Sequence, residues 1–403
     1  MRGPAPAAEA GALSLAIRNA KVYPTPDSAP ISKGSVLVRD GRIVRVGPDE
    51  IAAPAARELS AEGCTVVAGF WNAHVHFTEP KWKSSARKPP DILNGQLRDM
   101  LTSRGFTTAV DTGSDPRVTI PLRQRIRSGE LLGPTVYTSG TGVYPPRGIP
   151  YYLRGTIPFW AYGFIPQPST PTAAARFVEK NVAGGRDLLK LFTGSYVARG
   201  KVTTMPEPVA RAAVMAAHAH GQIVYSHPSN LEGTRVAMRS GVDVLAHPPD
   251  TAEGVDRAVI QEMVDRQMGM TPTLKMFQDT VSSNDTYLGP IHEVVRQFRE
   301  LGGQLLFGTD VGYMTDYATE GEFRALARTG LDTRGILRML TTAPALRFGV
   351  EKKVGTVTAG ARADLVVLEG DPIEDLGAFA RVRATVRAGQ ILYENPSLEP
   401  EAA

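Results

Sequence analysis

Apolar and polar residues alternate at both ends of the chain and give way to another rhythm in the middle. Leu13–Pro24 (LSLAIRNAKVYP) alternates, and Ser35–Gly47 (SVLVRDGRIVRVG) does so around Asp40-Gly41, a strong short-range hairpin signal. Near the other end, Gly355–Gly370 and Arg381–Asn395 repeat the pattern, with Ala388-Gly389 at a turn. Short strands at both termini predict one small β domain, a β-sandwich built from residues 13–65 plus 351–395. Residues 1–12 (MRGPAPAAEAGA) are small and Pro/Ala-rich, lack the apolar stretch of a signal peptide, and read as a disordered tail.

Between these ends, residues 66–350 alternate short apolar strands with longer helical stretches. The candidate strands are Val66–Trp71, Thr107–Asp111, Thr135–Ser139, Leu188–Phe192, Ile223–His227, Val242–His247, Met270–Leu274 and Leu305–Asp310. Helices are predicted over Pro206–His218, Asn230–Ser240 and Asp256–Arg266. Eight strands interleaved with helices predict an α/β fold, a (β/α)8 TIM barrel, with a doubly wound sheet as the alternative. Gly140–Thr172 breaks the rhythm. It is rich in proline and aromatic residues (Tyr144, Tyr151, Tyr152, Phe159, Trp160, Tyr162, Phe164) and reads either as a functional loop or lid, or as packing over the barrel edge.

Composition narrows the class of function. With 403 residues the chain is long enough for two or three domains, or for one large barrel and something smaller. Its net charge of +4 comes without any run of five like charges or basic stripe, so no nucleic-acid partner is expected. No apolar run reaches the length of a membrane span, so no membrane insertion is expected. The compartment stays open between cytoplasmic and exported after loss of a leader. A single cysteine, Cys64, excludes an internal disulfide framework and a cysteine-rich metal site; it reads as a small core residue.

The chemistry lies at the predicted strand ends. His74 and His76 follow an apolar strand, and in extended chain residues i and i+2 point the same way, so two imidazoles converge. Such a pair alone is weak: His218 and His220 share the spacing but sit at a predicted helix end before Gly221, where solvent exposure is expected. Lys190 is enclosed in the apolar string DLLKLF, where a lysine rarely goes unpartnered. His227 closes IVYSH, His247 closes VDVLAH and Asp310 closes LLFGTD. In a barrel these ends share one face, the face on which active sites form.

This ordered set, GFWNAHVHF, DLLKLF, YSH, LAH and FGTD, together with the tail KVGTVTAGARADLVVLEGDPIEDL, resembles the amidohydrolase superfamily, in its binuclear branch near imidazolonepropionase-like and prolidase-like members. The resemblance implies that His74, His76 and Asp310 hold one divalent ion and His227 and His247 a second. It further implies that Lys190 is carboxylated by CO2 to a carbamate bridging both. Zn2+ is the expected metal, with Co2+, Mn2+ and Fe2+ as alternatives. It implies attack on an amide-like C–N bond by a metal-bridging hydroxide, with Asp310 as the catalytic proton carrier. A small-molecule substrate and a homo-oligomer are expected.

The strings His227-Pro228-Ser229-Asn230 and His247-Pro248-Pro249-Asp250 depart from the H-A-H or H-A-E and E-H-G of many relatives, so the substrate does not carry over. Tyr196 and Arg199, after Lys190, are candidate substrate contacts or else an exposed loop; Lys275 is a further candidate partner for a carboxylate. Three functions compete: hydrolysis of an N-acyl amino acid, dipeptide or aryl amide; hydrolysis of a carbamate, ester, lactone or phosphotriester at the same site; and a metal-free binding or scaffold protein, which the intact ligand set argues against.

Overall fold

The computed structural model describes residues 14–48, 55–154 and 159–395. The tail expected over residues 1–12 lies outside the described residues.

Strands from both chain ends meet in one eight-stranded sheet. Its order is Gln390–Glu394, Val382–Arg387, Leu365–Glu369, Cys64–Ala68, Leu15–Val22, Ile31–Arg39 and Arg42–Pro48, with Glu58–Ser60 also paired to Leu15–Val22. The Asp40-Gly41 turn forms as the sequence predicts. Arg39 pairs with Arg42, and both turn residues take positive φ (50° and 72°), which a two-residue hairpin of this hand requires and glycine tolerates. The strands expected of the small domain are hydrogen-bonded to one another in this one sheet.

Neighbouring residues of these strands face different cores. Val66, Leu365 and Val367 pack with Ile17, Val36 and Val386 in a separate, smaller apolar cluster. Val67, Val366 and Leu368 turn the other way, into the large core with Phe70, Phe106 and Phe379. The period-2 alternation therefore glues the end sheet to the central body.

The central body is a TIM-barrel-like α/β arrangement. Phe70–Val75, Phe106–Asp111 and Thr135–Thr138 run parallel, as do Leu188–Phe192, Ile223–His227, Val244–Leu245, Gly269–Met270 and Gln304–Leu305. Backbone hydrogen bonds join the two runs at Val143–Lys190 and Phe192–Val143 (2.9 and 2.8 Å) and again at Ala73–Phe307 (2.7 Å).

Helices Glu207–Ala219, Leu231–Ser240 and Arg257–Asp265 fall where predicted. The side chains of Asn230 and Asp256 cap the last two by accepting from the third residue on. No helix among the described residues is long and apolar enough to cross a membrane.

Four strand expectations change. Val242–His247 shortens to Val244–Leu245. Val66–Trp71 is two strands broken at Gly69: Cys64–Ala68 belongs to the end sheet and only Phe70–Val75 to the central body. Leu274, expected in a strand, opens the helix Leu274–Thr280. The last strand is confined to Gln304–Leu305, while residues 306–310 run on against the His74 strand without regular pairing. Within Gly140–Thr172 the chain forms a short helix, Tyr151–Arg154, and a 3-10 stretch, Phe159–Phe164. Thr170 already caps the next helix, Pro171–Ala183.

Candidate metal centre

The parallel strands deliver their polar residues to one end. His74 lies inside Phe70–Val75 and His76 one residue past it; Lys190 is central in Leu188–Phe192; His227 ends Ile223–His227; His247 lies in the segment that follows Val244–Leu245 and Asp310 in the segment that follows Gln304–Leu305. All but His76 are buried. The set read from the sequence thus converges in space, although its members are spread over more than half of the chain.

Asp310 is placed by the backbone. Its N–H donates to the His74 carbonyl (2.9 Å), His76 donates to Val311 (2.7 Å), and Asp310 adopts φ 58°, a left-handed conformation that costs a non-glycine residue energy. Gly312 follows at φ 97°, where a Cβ would lie 1.8 Å from the His76 carbonyl, so only glycine lets this segment close on the histidine pair. Asn72 ties the two segments together. Its side-chain N–H donates to Thr309 (2.7 Å) and its carbonyl oxygen accepts from the Thr309 and His74 N–H groups.

The histidines are held by their far nitrogens. His74 Nδ1 lies 2.9 Å from the Ala246 carbonyl and His76 Nδ1 lies 2.8 Å from the Gly113 carbonyl. A carbonyl only accepts, so each Nδ1 carries a proton, and a neutral ring then presents the Nε2 lone pair. His247 Nδ1 lies 2.7 Å from the Thr273 hydroxyl, which holds its ring in place. Burial pushes His74 and His247 well below the usual imidazole range, and the neighbouring Lys190 and other histidines add to this; for His74 the Asp310 charge opposes it. Neutral imidazole is the form that ligates metals.

Lone pairs now face one another. The Nε2 atoms of His74 and His76 are 3.2 Å apart, and Asp310 Oδ1 lies 3.4 and 2.9 Å from them. His247 Nε2 is 3.8 Å from the other Asp310 oxygen. His74, His247 and Asp310 each offer a ligand atom within 4.8 Å of the others. Three acceptors at such spacings repel unless a proton or a cation lies between them. The edge of a tetrahedron about an ion with ligands at 2.0–2.1 Å is about 3.3 Å, so the donor set fits a divalent ion. Burial pushes the Asp310 carboxyl up, but His74, His76 and Lys190 outweigh it and hold the group below the usual carboxylate range.

Lys190 lacks any carboxylate within ion-pair distance among the described residues; its Nζ lies 5.4 Å from the Phe192 ring centroid. Burial pushes its ammonium down to about 8, against the pull of Asp310 and Asp111. Behind it, Tyr144 stacks on Phe192 and Phe192 on His227, with centroids 4.5 and 5.0 Å apart.

The candidate substrate residues divide. Tyr196 is half-buried, and its hydroxyl is pushed up to about 12 by burial and by the Asp250 charge. Arg199 sits at the exposed turn between Gly194–Ala198 and Lys201–Thr204, apart from the histidine cluster. Lys275 is already engaged by Asp279 and Asp316 (2.7 and 2.8 Å), so it is not free to take a substrate carboxylate. His218 and His220 pair with Asp243 and Glu179 at the surface, as expected of a helix end. Cys64 is buried in the end sheet. A cavity of about 370 Å3 between Gln267, Gly303 and Arg347 opens at the opposite strand ends, away from all of these groups.

Sequence reasoning passed over the supports. Asp111 accepts from Ser114 (2.5 Å), Thr138 (2.6 Å) and the Gly113 N–H, and so sets the carbonyl that orients His76. Its position at the end of Phe106–Asp111 was the available sign. Asp250 was quoted only as part of a divergent string, yet its Oδ2 lies 3.2 Å from His227 Nε2.

Comparisons with known proteins bear on family and fold. Residues 65–392 match the sequence model described as Amidohydrolase family. Ochratoxinase of Aspergillus niger is 21% identical over 426 aligned positions, covering 93% of this chain and 85% of that protein. Among solved structures, a Xaa-Pro dipeptidase with methionine bound in its active site superposes with a TM-score of 0.79 at 22% identity, covering 94% of this chain and all (100%) of that one. Molinate hydrolase does so with a TM-score of 0.75 at 18% identity, covering 98% of each. At these identities the structural likeness speaks for the fold.

Proposed function

Since the chain belongs to the amidohydrolase family, we propose that it is a binuclear metal-dependent hydrolase of amide-like C–N bonds, built on a closed eight-stranded barrel with the end sheet folded into a small sandwich beside it. The observation that carries this reading is the convergence of the His74, His76 and Asp310 ligand atoms at 2.9–3.4 Å. His74, His76 and Asp310 would hold one ion, and His227 and His247 the other. Lys190 is poised to bridge them. CO2 reacts only with a neutral amine, forming an N–C bond and releasing a proton, and a buried Lys190 shifted to about 8 supplies that form near neutrality.

When bound, the ions supply a Lewis acid for the scissile carbonyl and lower the pKa of a water. The residues do the rest. Asp310, fixed by its backbone bond to His74, accepts the proton of the attacking water and returns it to the leaving nitrogen. Ala246, Gly113 and Thr273 keep the imidazoles in register. The Tyr144–Phe192 stack and the Tyr152–Tyr313 pair (5.9 Å) offer ring faces to an apolar or aromatic substrate group.

A panel of N-acyl amino acids, dipeptides, aryl amides and aryl carbamates, run beside elemental analysis, tests the reading. Expected are close to two ions per chain and turnover of an amide-like member that a chelator abolishes. A fully active, metal-free enzyme refutes it. Turnover confined to carbamates or esters moves the assignment to the other leaving-group class.

A further inference from the structure

Asp250 and His227 form a second pair of facing ligand-type atoms that the family ligand set leaves unexplained. Asp250 Oδ2 and His227 Nε2 are 3.2 Å apart, both buried, and neither has a hydrogen-bond partner. A buried carboxylate oxygen and a buried imidazole nitrogen without partners each carry a desolvation cost, which a shared cation removes. Their separation matches the tetrahedral edge of about 3.3 Å for a divalent ion, and equals the Nε2–Nε2 spacing of His74 and His76.

The position is held by the chain on both sides. Pro248 and Pro249 stand between His247 and Asp250 and restrict φ along that step. Immediately after Asp250, the Thr251 N–H donates to the Ser229 carbonyl (3.2 Å), tying this loop to the one that follows His227. The loop therefore brings the carboxylate to the histidine that ends the neighbouring strand.

We propose that Asp250 is an additional oxygen ligand of the ion held by His227, making that site richer in anionic donors than the pair of histidines and a bridging lysine. The inference rests on the binuclear reading. An anionic donor there offsets positive charge on the ions and holds the second ion more tightly. The competing role for the same carboxylate is to meet a substrate ammonium. Tyr152, Tyr196, Tyr287 and Tyr313 all lie close enough to feel its charge, and ring faces with a carboxylate suit such a cation.

Metal-stripped wild type, Asp250→Asn and Asp250→Ala are titrated with Zn2+ and Co2+ at fixed bicarbonate, reading ions per chain, affinity and the visible spectrum of the cobalt form. Circular dichroism checks that each variant is folded. Expected for Asp250→Ala are one ion retained as in wild type, the second weakened at least about tenfold, and an altered cobalt spectrum, with Asp250→Asn intermediate because its amide oxygen is neutral. Folded variants that bind two ions with wild-type affinity and spectrum overturn the proposal; loss of affinity for ammonium-bearing substrates alone then assigns Asp250 to substrate. Wild type that binds no metal overturns the binuclear reading itself and this inference with it.

Discussion

The state of Lys190 can be measured before any substrate is known. Burial brings its ammonium from the ordinary 10.5 to about 8. At pH 7 a group of pKa 8 is about one-tenth neutral, whereas one of 10.5 is neutral in about one molecule in three thousand, so burial multiplies the reactive amine about 300-fold. If CO2 capture by Lys190 limits assembly of the centre, recovery of metal-stripped protein should rise about fivefold from pH 7 to 8 and less than twofold from pH 8 to 9. The assay holds free Zn2+ and dissolved CO2 constant and follows metal uptake. Lys190→Ala should show no CO2-dependent phase and should lose at least one ion. A rise of about tenfold per pH unit continuing past pH 9, the behaviour of an unshifted lysine, or recovery indifferent to CO2, refutes the reasoning. The same shift has a stability counterpart in the metal-free protein. Because the folded pKa is depressed, the unfolded chain takes up the proton first. Stability is therefore full above 10.5, is lost as pH falls toward 8, and levels off below, by about 3 kcal/mol in all.

Asp310→Asn keeps an oxygen for the metal but cannot take a proton, so the variant should retain most of its metal while kcat falls by about 10²–10⁴; intact metal with kcat within about threefold of wild type assigns the proton transfer to another group. Gly312→Ala would place a Cβ 1.8 Å from the His76 carbonyl at φ 97°, so denaturant unfolding should show a loss of at least about 1–3 kcal/mol together with weakened metal binding, and unchanged stability would show that the Asp310 segment can relax.

Much of the site was legible because its chemistry is written as strand-end residues. His74, His76, Lys190, His227, His247 and Asp310 each close or interrupt an apolar string, and alternate residues of a strand share a face, so convergence followed from local pattern and strand order. The supports were not legible in this way. Asp111 acts through Gly113 on His76, and Thr273 acts on His247 from 26 residues further along the chain. Neither contact leaves a periodicity, because each depends on where a loop returns. Lys275 shows the converse: a free cation in the sequence, it is spent on Asp279 and Asp316 once the Leu274–Thr280 helix and the loop after Asp310 pack together.

By itself, the sequence determined the alternation that makes the end strands, the Asp40-Gly41 turn, the caps at Asn230 and Asp256, and the identity of the metal-competent residues. All of these are set by neighbours within a few positions. Only the tertiary structure decided that the apolar run Val66–Trp71 breaks at Gly69, because the same hydrophobic string serves two sheets: Val67 packs against the central core, Val66 against the small one, and Phe70 starts a new parallel pairing. It alone decided that Asp250 meets His227, since two loops from neighbouring strands must be brought side by side before a carboxylate and an imidazole far apart in sequence stand 3.2 Å apart. Short-range geometry is encoded residue by residue, whereas the meeting of loops is fixed by the packing of the elements that carry them.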